Sequence, residues 1–165
     1  MRVGWDMQTF LRMVEFLTLG LWLGADAFLS FVVAPGAFAT LGNRDAAGMM
    51  VGFALGRLHI IGMALSVVFL LARLVRGQAF GGAAWFVTGF VALMVVLTAV
   101  SQFTVSRRMA TLRAEMGSVQ ATPENDPRRV EFNGLHQRSV MFEGAVLLLG
   151  LSAMCLLVRE TAVRP

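Results

Sequence analysis

Residues 82–105 read GAAWFVTGFVALMVVLTAVSQFTV, a run without one charged side chain. It is longer than the ~20 residues a helix needs to cross a hydrocarbon core. Three more apolar runs of comparable length surround it, at about 10–34, 52–74 and 132–158. The 165-residue chain is 57% hydrophobic and only 15% charged, with a mean hydropathy of +0.71. An ordinary soluble domain carries about 25% charged residues, so this composition belongs to a bilayer protein. The expected fold is all-α: an integral membrane, antiparallel four-helix bundle forming a single domain over 1–165, with the lipid bilayer as its partner.

The second span is the least regular. Its uninterrupted stretch, Leu58 to Ala72, is too short to cross alone, which draws Arg57 and His59 into the membrane. Asn43, ahead of Arg44 and Asp45, suits an N-cap, so this helix is expected to begin before the bilayer. Asp126 as cap with Pro127 at the first helical position predicts a similar start for the fourth helix. Residues 106–131, rich in Arg and Glu, read as a partly ordered polar loop too short for a second domain. Connections therefore run long, short, long, as in two helical hairpins joined by a tight turn. Gly81-Gly82 is that turn, not a phosphate cradle. Ala37-Phe38-Ala39 has the form of a signal-peptidase site. However, Glu15 and Asp26 interrupt the preceding run, which exceeds the ~7–15 residues of a signal core, so it is read as a retained span.

Fourteen Arg, no Lys and ten carboxylates give a net charge of +4. The cations stand singly or in pairs between apolar runs, which fits loops meeting lipid headgroups and excludes a nucleic-acid surface. Arg44, Arg107, Arg108, Arg113, Arg128 and Arg129 on the long loops are balanced by Arg2, Arg73, Arg76, Arg159 and Arg164 at the other end. That balance leaves orientation undecided, with both termini expected on the same side. Cys155 stands alone and can form no disulfide within the chain. Homo-oligomerisation is left open.

Helical spacing sorts the polar residues. Glu15, Leu19, Trp22 and Asp26 share one stripe of the first span with Arg12; Gly56, His59, Gly62, Ser66 and Arg73 share one on the second. Thr98 and Gln102 align on the third, and His136, Ser139, Glu143 and Gly150 on the fourth. Polar groups facing lipid are costly and small residues let helices approach, so these stripes should face inward. At ~1.5 Å per residue from the long-loop side, His59, Thr98 and Ser139 lie about 10 Å deep, Asp26 about 12 Å and Glu143 about 16 Å. His136 and Gln102 fall nearer the mouth, and Arg57 points off the His59 stripe. The expectation is a polar pocket in one half of the bundle, open toward the long loops.

Gly20-Leu21-Trp22-Leu23-Gly24 leading to Val32-Val33-Ala34-Pro35, with Gly56-Arg57-Leu58-His59 and Phe132-Asn133-Gly134-Leu135-His136-Gln137-Arg138-Ser139, resembles the transmembrane protein 205-like family (domain of unknown function 4149). The likeness covers most of the chain outside the polar loop, and the paired Leu-His elements are its most specific part. More remotely the chain is similar to the copper-resistance protein D-like four-helix superfamily, which includes a haem-using membrane protoporphyrinogen oxidase. The resemblance implies fold and residues; the closer family carries no established reaction.

Three readings of the pocket follow. In the structural one, Asp26 and Glu15 pair with Arg57 or Arg12 and the His side chains bond across helices. In the second, Asp26, His59, His136 and Glu143 handle an ion, a small solute or a divalent metal, because carboxylates and imidazoles exchange protons near neutrality and ligate borderline cations. Ser139 would orient the imidazole or a water. In the third, His59 and His136 are axial ligands of a haem. No nucleophile triad or zinc spacing is present and no catalytic residue is assigned, so the balance falls against an enzyme.

Overall fold

The computed structural model describes residues 6–79 and 84–162, all of whose regular structure is helical. Arg2, Arg164, the Gly81-Gly82 turn and the first two residues of the third apolar run lie outside them. In chain order the elements are α1 (Met7–Phe28), a π-helical segment (Leu29–Val33), α2 (Ala34–Thr40) and α3 (Arg44–Val75). Then come α4 (Ala84–Val100), a second π segment (Ser101–Ser106), α5 (Arg107–Met116) and α6 (Pro127–Ala162). These stack into four continuous rods, each long and apolar enough to cross a membrane. The protein is an integral, multi-pass membrane protein of four-helix-bundle architecture.

The rods start where their caps dictate. Asp6 Oδ1 accepts from Thr9 N at 2.7 Å, and Asn43 Oδ1 accepts from Asp45 N and Ala46 N at 2.8 and 3.1 Å. Asp126 Oδ1 accepts from Arg128 N at 2.9 Å ahead of Pro127. These bonds satisfy helix-terminal N–H groups that have no partner inside the helix. The 106–131 segment is more helical than its polarity suggests. Arg107–Met116 is built of good helix formers, and Arg108 binds Glu131 of α6 at 2.7 Å, which holds the extension against the fourth rod. Gly117, at φ +69°, ends it in a conformation that only glycine adopts cheaply. The true loops shrink to 41–43 and 117–126.

Both π segments have local causes. Pro35 has no N–H, and its ring would strike the carbonyl four residues back; the helix widens just before it, with Ala34 N–H reaching Leu29 O. In the third rod Thr104 Oγ1 donates to Val100 O at 2.5 Å and competes for that acceptor.

The rods pack as a ring in which α1 lies on α3, α3 on α4, α4 on α6 and α6 on α1. Leu19, Trp22, Phe69, Val91, Met94, Val146 and Leu157 fill its centre. Leu21, Phe31, Ile61, Val67, Leu93, Met141 and Leu148 stay exposed on the outside, where lipid covers them. Two glycines set the closest approaches. A Cβ on Gly62 would stand 2.5 Å from Trp22 Nε1, and one on Gly150 would be 3.0 Å from Met94 Cε and overlap Leu23. No side chain fits either place.

Candidate functional site

The inward stripes converge as their spacing predicts, and they form two polar clusters rather than one. At the turn end, beside residues 76–79, the guanidinium of Arg73 is wholly buried. It donates to Glu15 Oε2 (3.3 Å), Glu160 Oε1 (2.9 Å), Thr88 Oγ1 (3.2 Å) and Ala84 O (3.0 Å). Arg76 Nη1 lies 2.6 Å from the second Glu15 oxygen. One cation thus ties α1, α3, α4 and α6. Neither Arg57 nor Arg12 pairs with Glu15 or Asp26, contrary to the structural reading of the sequence. Arg57 is exposed and lies 5.3 Å over the Phe53 ring, one turn back on its own helix.

The second cluster centres on His59, 1% exposed on α3. Its Nδ1 is 2.8 Å from Gln102 Oε1 in the second π segment, and its Nε2 is 2.6 Å from Glu143 Oε1 on α6. A carbonyl oxygen only accepts, so Nδ1 carries a proton and donates it to Gln102. The short contact to Glu143 then holds one further proton. Either an imidazolium donates to a carboxylate, or a carboxylic acid donates to a neutral imidazole. Asp26 of α1, 1% exposed, lies within electrostatic reach of both His59 and Glu143. Only Ser30 Oγ approaches it, at 3.4 Å, a long hydrogen bond, and its Oδ2 is buried without any partner.

Gln102 sits deeper than its place in the sequence suggests, on the imidazole itself. Glu143, counted deeper than His59, meets it because helical side chains lean toward the N-terminus, here the loop end, and glutamate is long. Ser139 is buried one turn above Glu143 and does not bond the imidazole, whose nitrogens are both taken. Thr98 is buried one turn from Gln102. His136 is exposed nearer the loops and forms no hydrogen bond with His59, so the structure does not bring the two imidazoles together. An axial pair for haem needs a free nitrogen on each, and His59 has none. Among the described residues no three His, Cys, Asp or Glu side chains converge as metal ligands.

A cavity of about 930 Å³ runs from the loops down to this cluster, with His136, Ser139, Ser30 and Glu143 on its wall. Glu143 is the member of the cluster that lines it; His59 and Gln102 lie behind. The 117–126 loop reaches the cavity at Val119 and Gln120. Asp45 pins it, accepting from Ser118 Oγ (2.6 Å), Val119 N (3.1 Å) and Gln120 N (3.4 Å).

The family described as a domain of unknown function, DUF4149, matches residues 17–118. The chain belongs to this family. The matched region of this DUF4149 protein includes Asp26, His59 and Gln102, three of the four residues at the buried site, while Glu143 lies beyond it. No curated protein and no solved structure matches the chain.

Sequence spacing missed the Arg73 cluster as a unit, although Glu15 and Arg73 stand on inward stripes at the same end of the bundle. It also placed Arg113 only among the loop cations, whereas the guanidinium lies across Gly48 and Gly52 on the cavity wall. That glycine pair, four residues apart, was the available signal.

Proposed function

We propose that this protein links proton binding at Glu143, His59 and Asp26 to the handling of a small ion or solute that enters through the loop-side cavity. The observation that carries this reading is the position of Glu143, which touches the cavity on one side and His59 Nε2 at 2.6 Å on the other. A proton taken up by Glu143 from the cavity needs no rearrangement to be shared with the imidazole. Asp26, its second oxygen unbonded, supplies negative charge that either a proton or a visiting cation offsets. Proton handling is favoured over metal or haem ligation because both ring nitrogens of His59 are already engaged. Within the family, the Leu58-His59 and Leu135-His136 elements favour the transmembrane protein 205-like branch. Both termini are assigned to one side of the membrane.

Reconstitution tests the reading. Liposomes loaded with a pH-sensitive dye are given a pH gradient, with sodium, potassium or zinc as the external cation in turn. Wild-type protein should change internal pH faster than empty liposomes under at least one cation, and Glu143→Gln and His59→Ala should each remove the difference. Rates equal to empty liposomes under every cation, or undiminished in both variants, would overturn it.

A further inference from the structure

The first and fourth rods part company at the Pro35 π segment. Helix α1 packs on both α3 and α6, but among the described residues the backbone of 29–40 comes close to α3 and not to α6. The cavity therefore has a side wall missing between the end of the first rod and the start of the fourth. Phe31 and Val140, both exposed and both on the cavity wall, line that gap. It faces the surface that lipid covers. At about 930 Å³ the cavity lies near the upper end of small-molecule sites, ~300–1,000 Å³.

Its loop end carries a cation with unused capacity. The Arg113 guanidinium fills the space left by two missing Cβ atoms, since a Cβ on Gly48 would be 3.0 Å from Nη2 and one on Gly52 3.8 Å from Nη1. It also stacks 5.2 Å from the Phe132 ring. Its Nε is buried without a hydrogen-bond partner, and among the described residues its side chain has no ion pair. The carboxylate that acts on it electrostatically, Asp45, already accepts from the three donors of the 117–126 loop. A guanidinium held flat with its fork of donors unspent matches a phosphate or carboxylate.

We propose that the cleft binds an anionic membrane lipid, its head against Arg113 and an acyl chain along Phe31 and Val140. Charge complementarity selects the head and the lateral gap supplies the route of entry. The proposal stands on Arg113 and the cleft alone and is independent of proton transfer at His59.

Spin-labelled phosphatidylglycerol and spin-labelled phosphatidylcholine, each at trace level in phosphatidylcholine nanodiscs holding the full chain, test it by the motionally restricted fraction. The anionic lipid should be preferred about fivefold, the factor one cationic side chain gives near a membrane surface. Arg113→Gln should reduce the preference to near unity. Arg138→Gln, which removes a cation outside the cleft, should leave it, and so should His59→Ala. Equal restriction of the two lipids in wild type, or equal loss in the Arg113 and Arg138 variants, would overturn the proposal. Displacement by millimolar inorganic phosphate would also overturn it, by assigning the site to a soluble anion.

Discussion

The Arg73 and His59 clusters use the same four rods, but they differ in how their charges are paired and in what lies beside them. At the turn end, two carboxylates, a hydroxyl and a backbone carbonyl surround Arg73, and Arg76 forms an ion pair with the remaining oxygen of Glu15, although its own Nε is buried without a hydrogen-bond partner. Around His59, both ring nitrogens are bonded, yet Asp26 keeps a buried oxygen without a partner and Glu143 opens onto a cavity. Each cluster keeps a buried polar atom unbonded, but charges paired with opposite charges away from the cavity rigidify, whereas a carboxylate that opens onto the cavity has capacity for a proton or a ligand. This contrast supports the proposal that the turn-end cluster holds the fold and the loop-side cluster handles protons.

The contrast breaks most directly at Arg73. Arg73→Ala leaves Glu15 and Glu160 without their shared cation, and removal of one partner from a buried ion network typically costs about 3–5 kcal/mol. Reversible unfolding in mixed micelles should register a loss of that order; a loss below about 1 kcal/mol would mean the network is as dispensable as an exposed ion pair. Next is the packing between the clusters. Gly62→Leu drives a side chain into Trp22 and should cost about 1–3 kcal/mol or more, while Ile61→Leu, on the lipid face, should be nearly silent. Equal losses would mean that the His59 stripe does not face the core.

The His59 cluster should respond in the opposite sense. Glu143→Gln keeps shape and hydrogen-bonding capacity, so stability should change by no more than the ~0.6 kcal/mol typical of interhelical polar contacts in membranes. Flux should nevertheless be lost. A large destabilisation with flux intact would make this cluster a second clasp and erase the distinction.

The smallest effect lies outside both clusters. The exposed cap Asp126 is held well below the usual carboxylate range, at about 2, by hydrogen bonds from the Arg128 side chain and backbone. A depressed value means the cap contributes stability above the unfolded-state carboxylate value of about 3.9 and loses it as pH falls through about 2. Asp126→Asn should remove that slight acid dependence from the melting curve and leave neutral-pH flux unchanged. Altered flux would tie the 117–126 loop to proton handling.

The rods and their inward faces were legible because the signals are local. Charge-free runs mark the spans, Asn43 and Asp126 mark starts, and the spacing of Glu15, Trp22 and Asp26 or of His59, Gly62 and Ser66 marks the core face. Pairing across helices was less legible, because a stripe gives direction but neither rotation nor reach. Thus Glu15 was matched to nearby Arg12 or Arg57 when its partners lie 58 and 61 residues on, at Arg73 and Arg76. Gln102 falls at the mouth by a count of rise alone, which leaves out that side chains of the third rod lean toward its N-terminus, the turn end. The lateral cleft was not legible at all: Pro35 announces a disturbance in the first helix, not which neighbour the helix leaves.

The central claim is that the proton between His59 and Glu143 communicates with the loop-side solution. Nitrogen-15 NMR of the His59 imidazole in bilayers, recorded across pH in wild type and Glu143→Gln, measures this directly. Nδ1 should stay protonated throughout, with Nε2 changing its protonation as the bulk pH changes and with that response altered in Glu143→Gln. One invariant Nε2 signal at every pH, identical in the variant, would show the imidazole sealed from the cavity and contradict the account.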